Sequence, residues 1–357
     1  WNLTPSRIVK TKVAPLPSGA YLGVYVPPAP FDPPALDAFE AKAGKRVSIV
    51  MWYQPWAASN RSRFDTGAVV AVMRRGKVPM ISWEPWDPGT NSNNVREPGV
   101  QPAFRLATLD AGAYDDYISS WARDIRALGG PVMLRPMHEM NGNWYPWSGT
   151  TNGNTPALYV AAWRRIHDIF EREGATNVTW VWSINHESVP SGASNAYGAY
   201  YPGDAYVDWV AVSGFNWGTS SPYSSWRSYA HWYTKPLAFL RTLGKPICIA
   251  EFASVEPGGN KAAWIADAYS RIAADASVRA IIYFASLEKG SGTQDWRRDP
   301  SPAGPGGCRP GRRPRTPGAP PAGDPARPRA HRPGPGATAP ASRPAATATG
   351  NSSTAPS

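Results

Sequence analysis

What most constrains this chain is a repeating alternation between Tyr21 and Phe284. Short β-branched or aromatic runs, bounded by Gly, Pro or Asn, are separated for the most part by longer stretches with apolar residues at helical spacing. The candidate strands are Tyr21–Val26, Val47–Trp52, Val78–Trp83, Val132–Pro136, Val178–Ser183, Val207–Ser213, Pro246–Glu251 and Ala280–Phe284. Helices are patterned most clearly at Ala113–Ala127, Pro156–Glu173 and Asn260–Ala274. Eight strands mostly alternating with helices over about 270 residues is the count and size of a (β/α)8 TIM barrel, an α/β fold. A doubly wound sheet is the rival, but no Gly-x-Gly-x-x-Gly follows an early strand, so its nucleotide-binding form lacks a fingerprint. The expected organisation is an N-terminal extension at 1–18, a barrel domain at 19–300 and a low-complexity tail at 301–357.

The tail differs in kind. It contains no Val, Ile, Leu, Met, Phe, Tyr or Trp and is made almost wholly of Pro, Ala, Gly, Arg, Ser and Thr, which predicts disorder because no core can form. Two accounts of it stay open. One is a Pro-rich linker toward another module. The other is a frameshifted translation, since Gly, Ala, Pro and Arg are the residues of GC-only codons, and a barrel needs an eighth helix that nothing beyond Phe284 patterns. The tail also explains the net charge of +11: with eight Arg and one acid, Asp324, it holds +7 and leaves +4 for the rest. That balance removes nucleic acid as an expected partner of the folded part. Cys248 falls in an apolar run and Cys308 in the tail, so no disulfide framework is expected. No run of about 18 apolar residues occurs, so neither a spanning helix nor a membrane partner is expected. The chain opens at Trp1 without an initiator Met or a charged-then-apolar leader, as a processed or fragmentary chain would.

The chemistry concentrates in Arg135-Pro136-Met137-His138-Glu139-Met140-Asn141-Gly142-Asn143-Trp144, where an apolar strand runs into His-Glu and then into an amide- and aromatic-rich loop. In a barrel the reacting groups sit at the C-terminal ends of strands. Four glutamates fall there: Glu84, Glu139, Glu187 and Glu251. Strands four and seven face each other across the mouth, which puts Glu139 and Glu251 on opposite walls of one cleft. Two such carboxyls are what glycosidic cleavage requires, one protonated to release the leaving oxygen and one ionised to attack or to activate water. Asn and Trp nearby suit sugars, because amides bond hydroxyls and indole faces pack on the C–H face of a pyranose. His186-Glu187 lacks His-Glu-x-x-His spacing, so no metal and no cofactor is expected. Plainer readings stand beside these. Glu139 can be a solvated loop acid, Glu251 a buried ion-pair partner and His138 a core hydrogen-bonder. Glu84 and Glu187 read as rim or sugar-hydroxyl contacts, while Trp83, Trp86, Trp147 and Trp217 fit cleft and core equally.

That segment, with Ile249-Ala250-Glu251-Phe252, resembles glycoside hydrolase family 26. Further matching stretches are Trp83-Glu84-Pro85-Trp86, Tyr201-Pro202-Gly203-Asp204, Asn216-Trp217-Gly218, Pro257-Gly258-Gly259-Asn260-Lys261 and Asp295-Trp296-Arg297. The resemblance runs roughly from residue 20 to 300. It implies a retaining, endo-acting β-glycoside hydrolase with Glu139 as acid/base and Glu251 as nucleophile, their carboxyls about 5–5.5 Å apart. The substrate-binding residues expected are His138, Asn141, Trp144, Trp83, Trp86, Phe215, Trp217, Tyr283 and Arg297. Two departures from the family's pattern stand out. Phe215 occupies the place of a strand-six Tyr whose hydroxyl bonds the nucleophile, and Tyr283 that of a strand-eight Trp lining the cleft. The implied substrate is β-1,4-mannan, with mixed-linkage β-1,3-1,4-glucan or β-1,3-xylan as alternatives and a non-catalytic glycan-binding barrel as an answer of another class. The expected partner is that polysaccharide, met by a secreted monomer.

Overall fold

The computed structural model describes residues 11–57, 63–91, 100–289 and 293–297. Eight strands, β1 (Tyr21–Tyr25), β2 (Ile49–Pro55), β3 (Val78–Glu84), β4 (Val132–Pro136), β5 (Val178–Asn185), β6 (Trp209–Asn216), β7 (Ile247–Ser254) and β8 (Val278–Phe284), pair in parallel in chain order and close through β8 on β1. Every candidate strand is present. β2, β5, β6 and β7 reach further at their C-terminal ends than the apolar pattern does, because ladder pairing continues beneath polar mouth residues that break the pattern.

The helices are α1 (Pro33–Ala43), α2 (Thr66–Arg74), α3 (Pro88–Asn91), α4 (Leu106–Asp110), α5 (Asp115–Leu128), α6 (Pro156–Arg172), α7 (Tyr229–Arg241) and α8 (Lys261–Ala274). Their starts follow local chemistry. The side chains of Asp65, Thr155, Ser228 and Asn260 accept the N–H of residues three positions on, satisfying donors that a helix start leaves open. α5 buries Ile118, Trp121, Ala122 and Ile125, the stripe that 3.6-residue spacing produces. Two crossovers depart from the regular plan. Three 3-10 turns at Ala193–Asn195, Tyr197–Tyr200 and Asp204–Tyr206 follow β5 where the regular barrel plan has an α-helix. Among the described residues β8 is followed by no helix but by an antiparallel hairpin of β9 (Leu287–Lys289) and β10 (Thr293–Asp295). The tail at 301–357, with Cys308, lies outside the described residues, as do residues 1–10 of the extension.

The core has two compartments separated by the strands. Inside the barrel lie Ile49, Met51, Met80, Met133, Val181, Trp209, Ala211, Cys248, Ala250, Ala280 and Ile282. Outside, between strands and helices, lies a larger layer containing Trp52, Ile81, Trp83, Leu134, Trp180, Trp182, Phe252 and Tyr283. This is the period of two of a β-strand, inward and outward in turn. Residues 11–18, assigned to the extension, pack onto the barrel: Val13 is buried, its N–H donates to Thr179 Oγ1 (2.7 Å) and its carbonyl accepts Trp209 Nε1 (2.9 Å). Thr179 and Trp209 stand at strand starts, so this segment closes the N-terminal end and the opposite mouth is left open. Cys248 is a free buried thiol whose pKa burial pushes up to about 12, an inert core group.

Candidate active-site cleft

The open mouth holds a cleft of about 760 Å3. Strand parity selects what faces it. On β3, Met80, Ser82 and Glu84 point inward, so Trp83 must point outward, where it packs against Trp56, Tyr117 and Trp121 with no solvent exposure. On β8, Ala280, Ile282 and Phe284 point inward, so Tyr283 stacks on Phe39 in the outer layer and donates its hydroxyl to the Trp296 carbonyl. Trp83 and Tyr283 are thus corrected from cleft to core, and Phe284 takes the place expected of Tyr283.

Glu251 reaches the cleft by a local break in that parity. Counting from inward-facing Cys248, strict alternation would send residue 251 out among the helices. The β6–β7 register instead steps from Val212↔Ile249 to Ser213↔Glu251, and the β7–β8 register from Ile249↔Ile281 to Phe252↔Tyr283. Both neighbours therefore see one extra residue on β7, a bulge that lets Ala250 and Glu251 both face inward while Phe252 returns to the outer layer.

Glu139 is placed by a different device. Met137 (φ 47°) and Glu139 (φ 55°) adopt left-handed backbone, unusual for residues with a Cβ. Their surroundings impose it: Met137 N–H donates to the Trp83 carbonyl (3.1 Å), Tyr159 Oη donates to the Met137 carbonyl (3.1 Å), and Glu139 N–H donates to the Ser183 carbonyl (2.9 Å). The result sets Glu139 on the cleft wall and His138, expected as a sugar contact, buried just behind it, where it meets protein groups rather than the open cavity. Strain held by such over-determined contacts is a mark of functional sites.

The electrostatics turn on one cation. Arg135 points inward from β4, fully buried, into a layer kept open by small side chains: Nε donates to Ser82 Oγ (2.9 Å) and Nη1 to Ser213 Oγ (3.3 Å) and Ser183 Oγ (3.4 Å). Its Nη2 donates to Glu251 in a short, buried ion pair. Among the described residues Glu84 and Glu139 receive no such partner. Burial pushes Glu84 up to about 8 against the pull of Trp86 and Arg135, and burial and then the Glu251 charge push Glu139 up to about 8. His138 lies between, with Nε2 3.2 Å from Tyr145 Oη and 3.9 Å from both Glu84 Oε1 and Glu251 Oε1. Burial and then Arg135 hold its pKa well below the usual range, so its imidazole is neutral. One carboxyl kept protonated by burial beside another ion-paired to a guanidinium is the asymmetry that acid–nucleophile chemistry uses.

Of the remaining expected residues, Trp86, Trp144, Phe215 and Trp217 line the cleft. Trp144 Nε1 donates to Glu139 Oε2 (3.0 Å) and Trp86 Nε1 to Glu84 Oε2 (3.2 Å), so each indole aims a carboxyl as well as offering a face. Asn141 does not reach the cleft. It is fully buried, with Nδ2 donating to the carbonyls of Asn185 and Glu187 (both 3.1 Å) and Oδ1 accepting the Asn185 N–H (2.8 Å), and it ties the β4 loop to the end of β5. Arg297 is also displaced: it pairs with Asp295 (2.7 Å) and lines a separate groove with Pro27, Phe39 and Leu287. Trp147 is buried behind the site, stacked on Tyr145 at 4.2 Å with Nε1 on the His138 carbonyl. Sequence reasoning passed over Arg135, Tyr25, Tyr53, Tyr145, Phe284, Glu288 and Trp296. For Tyr25, Tyr53, Arg135 and Phe284 strand parity was an available signal, since each is inward at a strand's upper end; for Trp296 the signal was the matching stretch Asp295-Trp296-Arg297, and for Glu288 there was none.

Comparison with known proteins follows the same lines. A family model described as Glycosyl hydrolase family 26 matches residues 59–240. Endoglucanase H of Acetivibrio thermocellus is 37% identical over 289 residues, covering 80% of this chain and 29% of that protein. A mannan endo-1,4-beta-mannosidase of Bacillus subtilis is 26% identical over 162 residues, covering 42% of this chain and 43% of that one. The chain thus spans less than half the length of these relatives. Among solved structures, a β-mannanase from Bacteroides ovatus superposes with a TM-score of 0.57 at 17% identity, covering 79% of this chain and 82% of that one, a likeness of fold.

Proposed function

Because the chain belongs to glycosyl hydrolase family 26, we propose that it is a retaining, endo-acting hydrolase of β-linked cell-wall polysaccharide. The observation that carries this reading is the asymmetric pair: Glu251 ion-paired to buried Arg135, and Glu139 in the same cleft with no ion pair among the described residues, its pKa pushed up to about 8 by burial and then the Glu251 charge. Glu139 donates its proton to the glycosidic oxygen while the Glu251 carboxylate attacks the anomeric carbon. A glycosyl-enzyme ester forms and the glycosidic C–O bond breaks. Glu139, now ionised, takes a proton from water, which displaces Glu251 and releases a hemiacetal of unchanged anomeric configuration. Neutral His138 orients groups between Glu84 and Glu251, and the indoles of Trp86 and Trp144 face the sugar chain.

The β-1,4-mannan expected from the sequence has support in the mannanase relative. A second reading, a β-glucan backbone, has support in the endoglucanase match, which is longer and higher in identity, so both polymers belong in the test. The test is reducing-end release from β-1,4-mannan, mixed-linkage β-glucan and β-1,3-xylan in parallel, with Glu251→Gln as the blank. Gln is preferred to Ala because Ala would leave the Arg135 guanidinium buried beside a void. Release that disappears in the folded variant establishes the activity and its substrate. Release of the inverted anomer, followed by NMR, overturns the double displacement, and no release from a folded chain leaves a glycan-binding barrel. A polymer of this size is met outside the cell, so the proposed place of action is extracellular, and the proposed state is a monomer; fractionation checks the first and sedimentation the second.

A further inference from the structure

Two groups of the cleft have no part in the chemistry above, and both lie outside residues 59–240. Tyr25 ends β1 and faces the mouth, paired in register with Phe284, against whose ring it packs at 4.6 Å, while Tyr53 meets it edge-on at 5.0 Å. The ring is fixed, yet its hydroxyl takes up no hydrogen bond among the described residues. Glu288 stands on the β9–β10 hairpin that follows β8. Its Oε2 accepts Trp296 Nε1 (3.3 Å), and Trp296 is buried against Phe215 and Trp217, each 5.0 Å away between ring centres, so the indole is a fixed anchor for the carboxyl. The hairpin is tied down beside Tyr25: the Ala285 N–H donates to the Tyr25 carbonyl (2.7 Å) and the Trp296 N–H to the Ser286 carbonyl (2.9 Å).

We propose that Tyr25 and Glu288 form a diol-recognising subsite beside Glu251, in which the phenol donates to one hydroxyl oxygen of a neutral sugar and the carboxylate accepts from the neighbouring hydroxyl. The proposal rests on the glycanase reading and adds to it where one sugar of the chain is gripped. Three features support it. Phenol and carboxylate are a matched donor and acceptor, which is what two adjacent hydroxyls ask for. The phenol keeps its proton, since burial and the charges of Glu288, Glu251 and Glu84 push it up to about 12. Phe284, packed against Tyr25 and lining the same cleft, supplies an apolar surface for the sugar's C–H face. Both are positioning residues, so their loss acts on binding more than on bond cleavage.

The test titrates mannotetraose and a mixed-linkage glucotetraose into the Glu139→Gln chain by calorimetry, alone and with Tyr25→Phe, Glu288→Gln or both. Polymer KM and kcat are measured in parallel on chains that keep Glu139. Tyr25→Phe retains the ring and Glu288→Gln is isosteric at an exposed position, and unchanged melting curves verify the fold. Each single change weakens the bound tetrasaccharide about tenfold and raises KM with kcat within about twofold, and the double change costs less than the product of the two because both act on one sugar. Affinity and KM unchanged in both single variants of an active enzyme overturn the subsite and leave the glycanase reading standing. A parent that neither binds nor cuts any of the glycans overturns both.

Discussion

Replacing Arg135 with Met tests the electrostatic organisation of the barrel mouth most directly. Arg135 has no solvent exposure, its pair partner Glu251 is 5% exposed, and three serine hydroxyls complete its hydrogen bonds. Methionine fills much of the volume but leaves a buried carboxylate without its counter-ion, a change that costs about 3–5 kcal/mol. At about 2–4 °C per kcal/mol for a domain of this size, the melting temperature falls by about 6–20 °C. Adding Glu251→Gln to that background removes the unpaired charge, so the double variant is more stable than Arg135→Met alone, with a coupling of at least about 1.5 kcal/mol. Urea denaturation followed by circular dichroism at neutral pH on the parent, the two single variants and the double variant closes the cycle. Additivity within about 0.5 kcal/mol would refute the reasoning, because it would mean that Arg135 and Glu251 do not sense each other.

Three other outcomes follow from the same structure. The alkaline limb of kcat/KM lies near the value of about 8 at which Glu139 loses its proton, and Trp144→Phe, by removing an indole N–H that favours the ionised form, moves that limb upward; a limb that stays or moves down contradicts the assignment. Glu84 and Glu139 are raised in the folded state from about 4.5 to about 8, so the stability they contribute is complete below about 4.5 and is lost as pH rises through about 8; Glu84→Gln flattens that decline, as urea midpoints across pH 5–9 will register. Trp83→Ala, which empties an outer-core position, destabilises by about 3–5 kcal/mol, whereas Trp86→Ala at the cleft raises KM with a much smaller change in melting temperature; equal KM effects from the two would place Trp83 in the cleft after all.

Much of the site was legible from local information. Glutamates ending apolar runs lie at strand C-termini whatever the detailed packing, because strand length and loop polarity are local properties, and so Glu84, Glu139 and Glu251 could be gathered at one mouth from the sequence. The local pattern left Trp86 and Trp217 open between cleft and core, and the family resemblance pointed to them with Trp144 and Phe215; all four line the cleft. Two of the errors share one cause. Trp83 and Tyr283 neighbour inward residues, and a single position decides between cleft and core, so proximity in sequence to a site residue is poor evidence when side chains alternate. Asn141 and Arg297 failed for another reason, since their hydrogen-bonding capacity is taken by backbone or by Asp295.

By itself the sequence determined the barrel, its eight strands and which residue types reach its open end, because these follow from periodicity, turn chemistry and strand length. Tertiary structure alone decided the rest. The bulge at Ala250–Glu251 exists only as a mismatch in register with β6 and β8, and without it the same Glu251 would face the helices. The partner of Glu251 is 116 residues away in Arg135, and the room for that guanidinium comes from Ser82, Ser183 and Ser213 on three other strands. The proton on Glu139 is likewise a property of burial and of a neighbouring charge. Pairings of this kind are set by barrel closure, which brings distant strands to one axis, and no window along the chain contains both members.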